Sequence, residues 1–248
     1  MDLKRFIRPG FAASLCGLAA LAVDPANAAQ RPAQGSTCAP YSKAITLGFK
    51  TLAPAPVYNN RLSIQGIRNL FREHTDAVLG DHARALGITY AETHYEANAR
   101  SSATTMRGGF CVYLASVDID FGWRRMEVYV ASEFAPGSCE YRSVLDHENQ
   151  HVAANNGSLR EFAPRFRAEV EKILRAQQPV FTRDAQAGMD VALASVEQGM
   201  SASLAQFQKL MAERNAPLDS SSNYDATAKL CANWKGTAPA PKPPAPNQ

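Results

Sequence analysis

The sequence predicts an α+β fold, with a small antiparallel sheet early in the chain and long helices late. Three observations carry this. In 110–120, Cys111, Tyr113, Ala115, Val117 and Ile119 alternate with Val112, Leu114, Ser116, Asp118 and Asp120, the period of a strand. Beyond Phe121-Gly122, Met126, Val128 and Val130 alternate with Glu127, Tyr129 and Ala131, so two runs flank a glycine as in a hairpin. After Cys139 the apolar spacing becomes helical and stays so. Strands that precede helices, without interleaving, argue against a βαβ fold.

The remaining elements follow in order. Residues 44–50 (AITLGFK) read as a short strand. Pro54 and Pro56 make 53–60 a loop or an edge, because proline cannot donate to a ladder. Ser63 to His74 places Ile64, Ile67, Leu70 and Phe71 on one helical face. Gly87 to Glu96 alternates as a strand. Ala135-Pro136-Gly137 ends the hairpin, and Ser138 is placed to cap the next helix. That helix covers Cys139 to about Asn156. Asn156-Gly157 tolerates a left-handed end, and Ser158 with Glu161 spells a capping box. Pro164 lies too deep for a smooth restart, so a kink near 157–164 is expected before helix resumes through Arg175. A second long helix spans Ala185 to Arg214, with Met189, Val191, Leu193, Val196, Met200, Leu204, Phe207 and Leu210 inward.

Composition bounds the function. The chain has 248 residues, 46% hydrophobic and 20% charged, with net charge +3. This excludes wholesale disorder, collagen-like repeats and a multi-span membrane protein. Near-neutral, mixed-sign charge argues against a nucleic-acid partner. Residues 1–28 read as a signal peptide: Lys4, Arg5 and Arg8, then apolar Phe11 to Val23, then Ala26-Asn27-Ala28 before the cut. The apolar run is short of the ~20 residues a spanning helix needs, so no transmembrane segment remains after cleavage. The expected location is exported, periplasmic or secreted. Residues 29–235 would form one domain, and the proline-rich 236–248 (GTAPAPKPPAPNQ) an extended tail. Cleavage leaves Cys38, Cys111, Cys139 and Cys231, an even count that favours two disulfides in an exported chain. Three pairings are open, among them Cys111 with Cys139 and Cys38 with Cys231. No two cysteines stand at short metal-ligand spacing.

The chemistry concentrates at 147–151, His-Glu-Asn-Gln-His. Residues four apart on a helix are offset by about 40° and about 6 Å, so His147 and His151 project from one face and can share a metal. Neutral imidazoles suit Zn²⁺. Glu148 flanks that face and can reach a metal-activated water without ligating, as a general base requires. With five histidines in the chain, this pattern arises by chance in roughly one of two hundred such sequences. Uncharged Asn149 and Gln150, apolar Val144 and Leu145 before it, and Val152 and Ala153 after it, fit a helix packed on one side and open on the other.

The segment SCEYRSVLDHENQHVAANN resembles the HExxH helix of zincin metallopeptidases. The stretch from Cys111 through the hairpin to Ser138-Cys139 and the helix is similar to exported bacterial proteins described as zinc-dependent proteases; the likeness covers roughly half of the mature chain. The resemblance implies a zincin-like α+β fold, one zinc ion, His147 and His151 as ligands, Glu148 as general base and a peptide or protein substrate. It also implies that a strand of the 110–132 hairpin lies antiparallel to the bound peptide. The longer HExxHxxGxxH motif is absent, since Ala154 and Gly157 occupy its extra positions.

A catalytic zinc normally takes three protein ligands and a water, so a third ligand is required. Glu161, His94, Glu133 and Asp219 are the candidates, Glu161 being also the capping-box residue and some 15 Å from His151 on a continuous helix. Asn155, two turns past His147, shares its face and is placed to orient a ligand or substrate. Asp146 and Asp190 are candidate imidazole partners. The leading reading is an exported zinc metallopeptidase. The alternative is a non-catalytic cell-envelope binding protein with a structural or vestigial zinc site, distinguished by a closed four-ligand shell.

Overall fold

The computed structural model describes residues 3–7, 38–40, 43–74, 85–232 and 234. The proline-rich tail and most of the expected signal peptide lie outside these. No helix among the described residues is long and apolar enough to cross a membrane.

In chain order the elements are β1 (Leu3–Ile7), β2 (Thr46–Leu52), β3 (Val57–Asn59), α1 (Ile64–His74), β4 (Gly87–Met106), β5 (Gly109–Val130), α2 (Cys139–Ala176), β6 (Val180–Thr182), α3 (Ala185–Asn215) and α4 (Ser221–Ala228). The sheet has the order β1-β4-β5-β2, with β3 and β6 also on β5. Sheet and helices coexist as the α+β reading requires. The sheet is mixed rather than purely antiparallel, because β2 and β3 both run parallel to β5. Parallel neighbours need a long crossover, and the chain from β2 to β5 provides one through α1 and β4.

The hairpin is displaced from its expected position. Gly122 is no turn: β5 continues unbroken from Gly109 to Val130. The reversal lies at Arg107-Gly108, between β4 and β5, where Gly108 has φ +83°, a region that favours glycine. Gly122 serves a close approach instead. A Cβ there would stand 2.0 Å from the carbonyl oxygen of Leu52. The change of alternation that suggested a turn falls across exposed Arg124-Arg125, with Trp123 and Met126 buried on either side.

The chain divides into two compact units, whose boundaries fall inside β4, β5, α2 and α3. One comprises 1–52, 94–122 and 162–206. In it β1 lies antiparallel on Ala97–Ser101, β2 runs parallel to Ser116–Gly122, and β6 lies antiparallel on Phe110–Val112. Its core gathers Val117, Ile119, Phe121, Phe166, Met189, Leu193, Val196 and Met200, all buried. Phe121 and Phe166 approach to 4.8 Å between ring centroids. The Cys38–Cys111 disulfide is in this unit. Val191, expected inward on α3, is 57% exposed.

The other unit comprises 53–93, 123–161 and 207–248. Ile64, Ile67, Val130, Ala131, Phe134 and Val144 form its core, with Leu86, Ile88, Leu145 and Trp234 packed against them. Asn60 donates to the carbonyls of Val130 and Ala131 at 3.0 and 2.9 Å, closing the end of β5. Buried Trp123 packs on Phe207 at 5.6 Å and donates its indole N–H to Asn156 at 3.2 Å. The Cys139–Cys231 disulfide lies here. The two bridges are thus one of the three possible pairings, and not the one that joins Cys111 to Cys139 and Cys38 to Cys231.

Helix α2 explains why the motif is well placed. Ser138 caps it, accepting from the backbone N–H of Tyr141 at 3.1 Å. The helix does not end at Asn156-Gly157: α2 runs on to Ala176 and carries Pro164 inside its 38 residues. Ser158 donates instead to the carbonyl of Ala154 at 2.9 Å, the back-bond of a serine inside a helix. Tertiary contacts, such as the Trp123–Asn156 bond, outweigh the local stop signal.

Candidate metal centre

Every residue of the site belongs to the second unit. His147, Glu148 and His151 lie in the first half of α2 and are buried. One helical turn brings the two rings to 5.0 Å between centroids, nearly perpendicular at 80°. Their Nε2 atoms stand 3.3 Å apart. Asp219, just beyond α3, brings its Oδ1 to 3.2 Å from His151 Nε2. His147, His151 and Asp219 each offer a donor atom, all within 4.8 Å of one another, and form a group able to hold a metal ion. Donors 2.0–2.1 Å from one tetrahedral ion would be separated by about 3.3–3.4 Å, so the His–His and His–Asp spacings fit. Two imidazoles and a carboxylate are also a donor set that suits zinc.

The other candidates for the third ligand are engaged elsewhere. Glu161 pairs with Arg214. Glu133 accepts from the backbone N–H of Ile64 through both oxygens, at 3.0 and 3.1 Å, and so caps α1. His94 is in the other unit, its Nε2 3.7 Å from Glu96. Asp190 is also in that unit, where it accepts from Gln186 at 3.0 Å.

The rings are oriented by residues that carried no local signal. Asn215 Oδ1 lies 2.7 Å from His151 Nδ1. The Asn215 amide is fixed in that sense because its Nδ2 donates to Asn155 Oδ1 and to the carbonyl of Met211, both at 2.8 Å. His151 Nδ1 therefore donates, which directs the Nε2 lone pair toward His147 and Asp219. Asn155 thus helps to fix the His151 ring, one bond removed. Asn223 Nδ2, which donates to the carbonyl of Leu218 at 2.7 Å, lies 3.5 Å from His147 Nδ1. Tyr224 donates its hydroxyl to Asp219 Oδ1 at 2.9 Å and lays its ring 5.3 Å from that of His147.

Glu148 is held from β4. Thr89 Oγ1 stands 2.9 Å from Glu148 Oε2 and 2.9 Å from the Glu148 carbonyl. Gly87 leaves room for the carboxylate, since a Cβ there would sit 2.7 Å from Oε1. Burial raises the Glu148 carboxyl to about 7, against the opposing pull of His151 and Thr89. Burial lowers His151, but its bonds to Asp219 and Asn215 outweigh this and raise it to about 8. His147 is lowered by burial and by its neighbour His151. Burial pushes Asp219 up, yet its bonds to His151 and Tyr224 win and hold it below the ordinary carboxylate range.

Strand β5 has β4 on one side and β6, β2 and β3 along the other. It is thus a central strand, paired along that side at Phe110–Val112, Ser116–Gly122 and Glu127–Tyr129. Among the described residues β3 pairs with β5, and its exposed Tyr58 donates to Asn149 of the motif at 2.9 Å.

No protein-family model, curated protein or solved structure matches this chain.

Proposed function

We propose that this chain is an exported zinc-dependent metallopeptidase, with His147, His151 and Asp219 as the metal ligands and Glu148 as the general base. The observation that carries this reading is the convergence of three donors beside a buried carboxyl that is not one of them. A group of three leaves a tetrahedral ion one open position, as hydrolysis requires and a purely structural site does not. The two disulfides suit an oxidising, exported location.

A zinc ion held there would supply a Lewis acid that acidifies water and polarises the scissile carbonyl. The chain's own residues do the rest. Glu148 Oε1 or Oε2 takes the proton of the attacking water and returns it to the leaving amine nitrogen. A buried carboxyl, raised by its burial above the ordinary carboxylate range, is placed for both transfers. Thr89 fixes the Glu148 carboxylate by the contact at Oε2. Asn215 holds the ring plane of His151, and Tyr224 holds Asp219.

Glu148→Gln tests the assignment, because it keeps the shape and removes the base. Zinc content should be unchanged, while cleavage of fluorescent casein should fall by roughly 10²–10⁴-fold. Unchanged cleavage removes Glu148 from the mechanism. A zinc-loaded wild type with no hydrolysis of casein or of a mixed peptide library favours the envelope-binding alternative.

A further inference from the structure

Two chain segments supply the metal donors and the groups that orient them. The motif helix gives His147, Glu148 and His151. Asn215, Asp219, Asn223 and Tyr224 all come from the end of α3, the link after it and α4 itself. The third donor and the groups that orient both imidazoles therefore arrive on a segment separate from the motif.

Little apolar burial secures that segment. Helix α4 has eight residues and no buried residue, and Leu230 beyond it is 67% exposed. A helix this short does not persist in water on its own propensity. Its links to α2 include the bond from Ser143 Oγ to the Thr227 carbonyl at 3.5 Å. Trp234 packs edge-on to Phe134 at 5.8 Å and donates to the Ala228 carbonyl at 2.7 Å. The covalent link is Cys139–Cys231. Cys139 is the first residue of α2, about two turns before His147, and Cys231 lies twelve residues after Asp219.

Accepting the metal site above, we propose that the Cys139–Cys231 disulfide is a redox condition on its assembly: the bridge clamps the Asp219 segment onto the motif helix, and without it the site loses its third donor. A chain with these thiols reduced would then bind zinc poorly and remain inactive until oxidised. Closing the bridge removes two protons and two electrons from the Cys139 and Cys231 thiols. A disulfide oxidant, small-molecule or protein-borne, takes them up by exchange and leaves as two thiols. The two bridges also differ in access. Cys139 is exposed and its partner Cys231 is 8% exposed, whereas Cys38 is half-buried and Cys111 1% exposed, so the Cys139 side is the more open to an attacking thiolate.

The test is a zinc competition against a chromophoric chelator, on the full exported chain. The oxidised wild type is measured beside Asp219→Asn. The wild type is then mildly reduced until mass spectrometry finds Cys139–Cys231 open and Cys38–Cys111 closed, measured, and reoxidised with a small-molecule disulfide. We expect zinc affinity to fall at least tenfold on reduction, roughly the scale of losing the groups that orient a metal ligand, and to return on reoxidation. The Cys139→Ser/Cys231→Ser variant should match the reduced protein, and Cys38→Ser/Cys111→Ser should match the oxidised one. Far-UV circular dichroism on each sample separates local release from unfolding, and the reduction–reoxidation cycle decides the question if the serine variant does not fold. Affinity of the reduced chain within about twofold of the oxidised chain overturns the proposal. An oxidised wild type that binds no zinc, or binds it no better than Asp219→Asn, overturns the metal site itself.

Discussion

Gly87→Ala isolates the placement of Glu148 from its chemistry. The added methyl carbon would sit 2.7 Å from Glu148 Oε1, 2.9 Å from Glu148 Cγ and 2.7 Å from Val144 Cγ1. Ordinary contact begins near 3.4 Å, so the carboxylate must retreat by about 0.7 Å, on the scale at which misplacement of a reacting group costs rate. Val144 belongs to the same helix and is itself packed in the core, so the strain is shared rather than relieved. Overpacking of this kind costs about 1–3 kcal/mol of stability. A catalytic group displaced by close to 1 Å loses up to about 10²-fold in rate. The ligands are untouched, so zinc affinity should stay near wild type. The assay is casein hydrolysis at saturating zinc, with zinc affinity by chelator competition and stability by urea unfolding. Wild-type hydrolysis in a variant that urea shows to be destabilised would refute the argument that this carboxylate must stand where it does.

Three further outcomes follow from the same geometry. Asp219→Asn should weaken zinc by at least about tenfold, while Glu161→Gln, at a residue that pairs with Arg214 outside the three-donor group, should leave zinc affinity unchanged; chelator competition reads both. Asn215→Leu removes the acceptor at His151 Nδ1 and should weaken zinc by about 10–100-fold, with Asn155→Asp close to wild type, because it keeps an acceptor for the Asn215 amide. In metal-free protein His151 is raised from 6.5 to about 8. A folded value above the unfolded one stabilises fully below the unfolded value and is lost as pH rises through the folded one, so urea unfolding should show roughly 2 kcal/mol less stability from this group at about pH 9 than at about pH 6. His151→Ala should remove that part of the slope.

The fold was legible wherever periodicity alone decides an element. Helix α1 was expected at Ser63 to His74 and runs Ile64–His74. The strand expected over 44–50 runs Thr46–Leu52. Ser138 caps α2 as its chemistry requires. What failed were readings of a residue by its local vocabulary. Gly122 reads as a turn, but its missing side chain serves the approach of Leu52, a neighbour 70 residues distant that no window of sequence contains. Ser158 and Glu161 spell a helix start, but a helix already packed on both sides of them has no reason to stop. The partners of β5 were equally out of reach, because parallel pairing is set by crossover topology rather than by the strand's own pattern.

The site divides along the same line, and the division has a physical cause. A helix fixes the geometry of residues four apart, so His147 and His151 could be paired from spacing, with Glu148 beside them. Nothing local fixes Asp219. It was one of four candidates, and what singles it out is the return of α3 to the motif helix, which places its Oδ1 3.2 Å from His151. Asn215 and Asn223 were invisible for a further reason. An asparagine becomes an orienting group only when its amide is locked, and Asn215 is locked by Asn155, 60 residues earlier. The cysteines sit between these cases. Their even number implied two bridges, but only the folded chain selects Cys139–Cys231. That bridge joins the part of the site that sequence spacing could specify to the part it could not. For that reason the zinc affinity of the reduced chain probes both parts of the site at once.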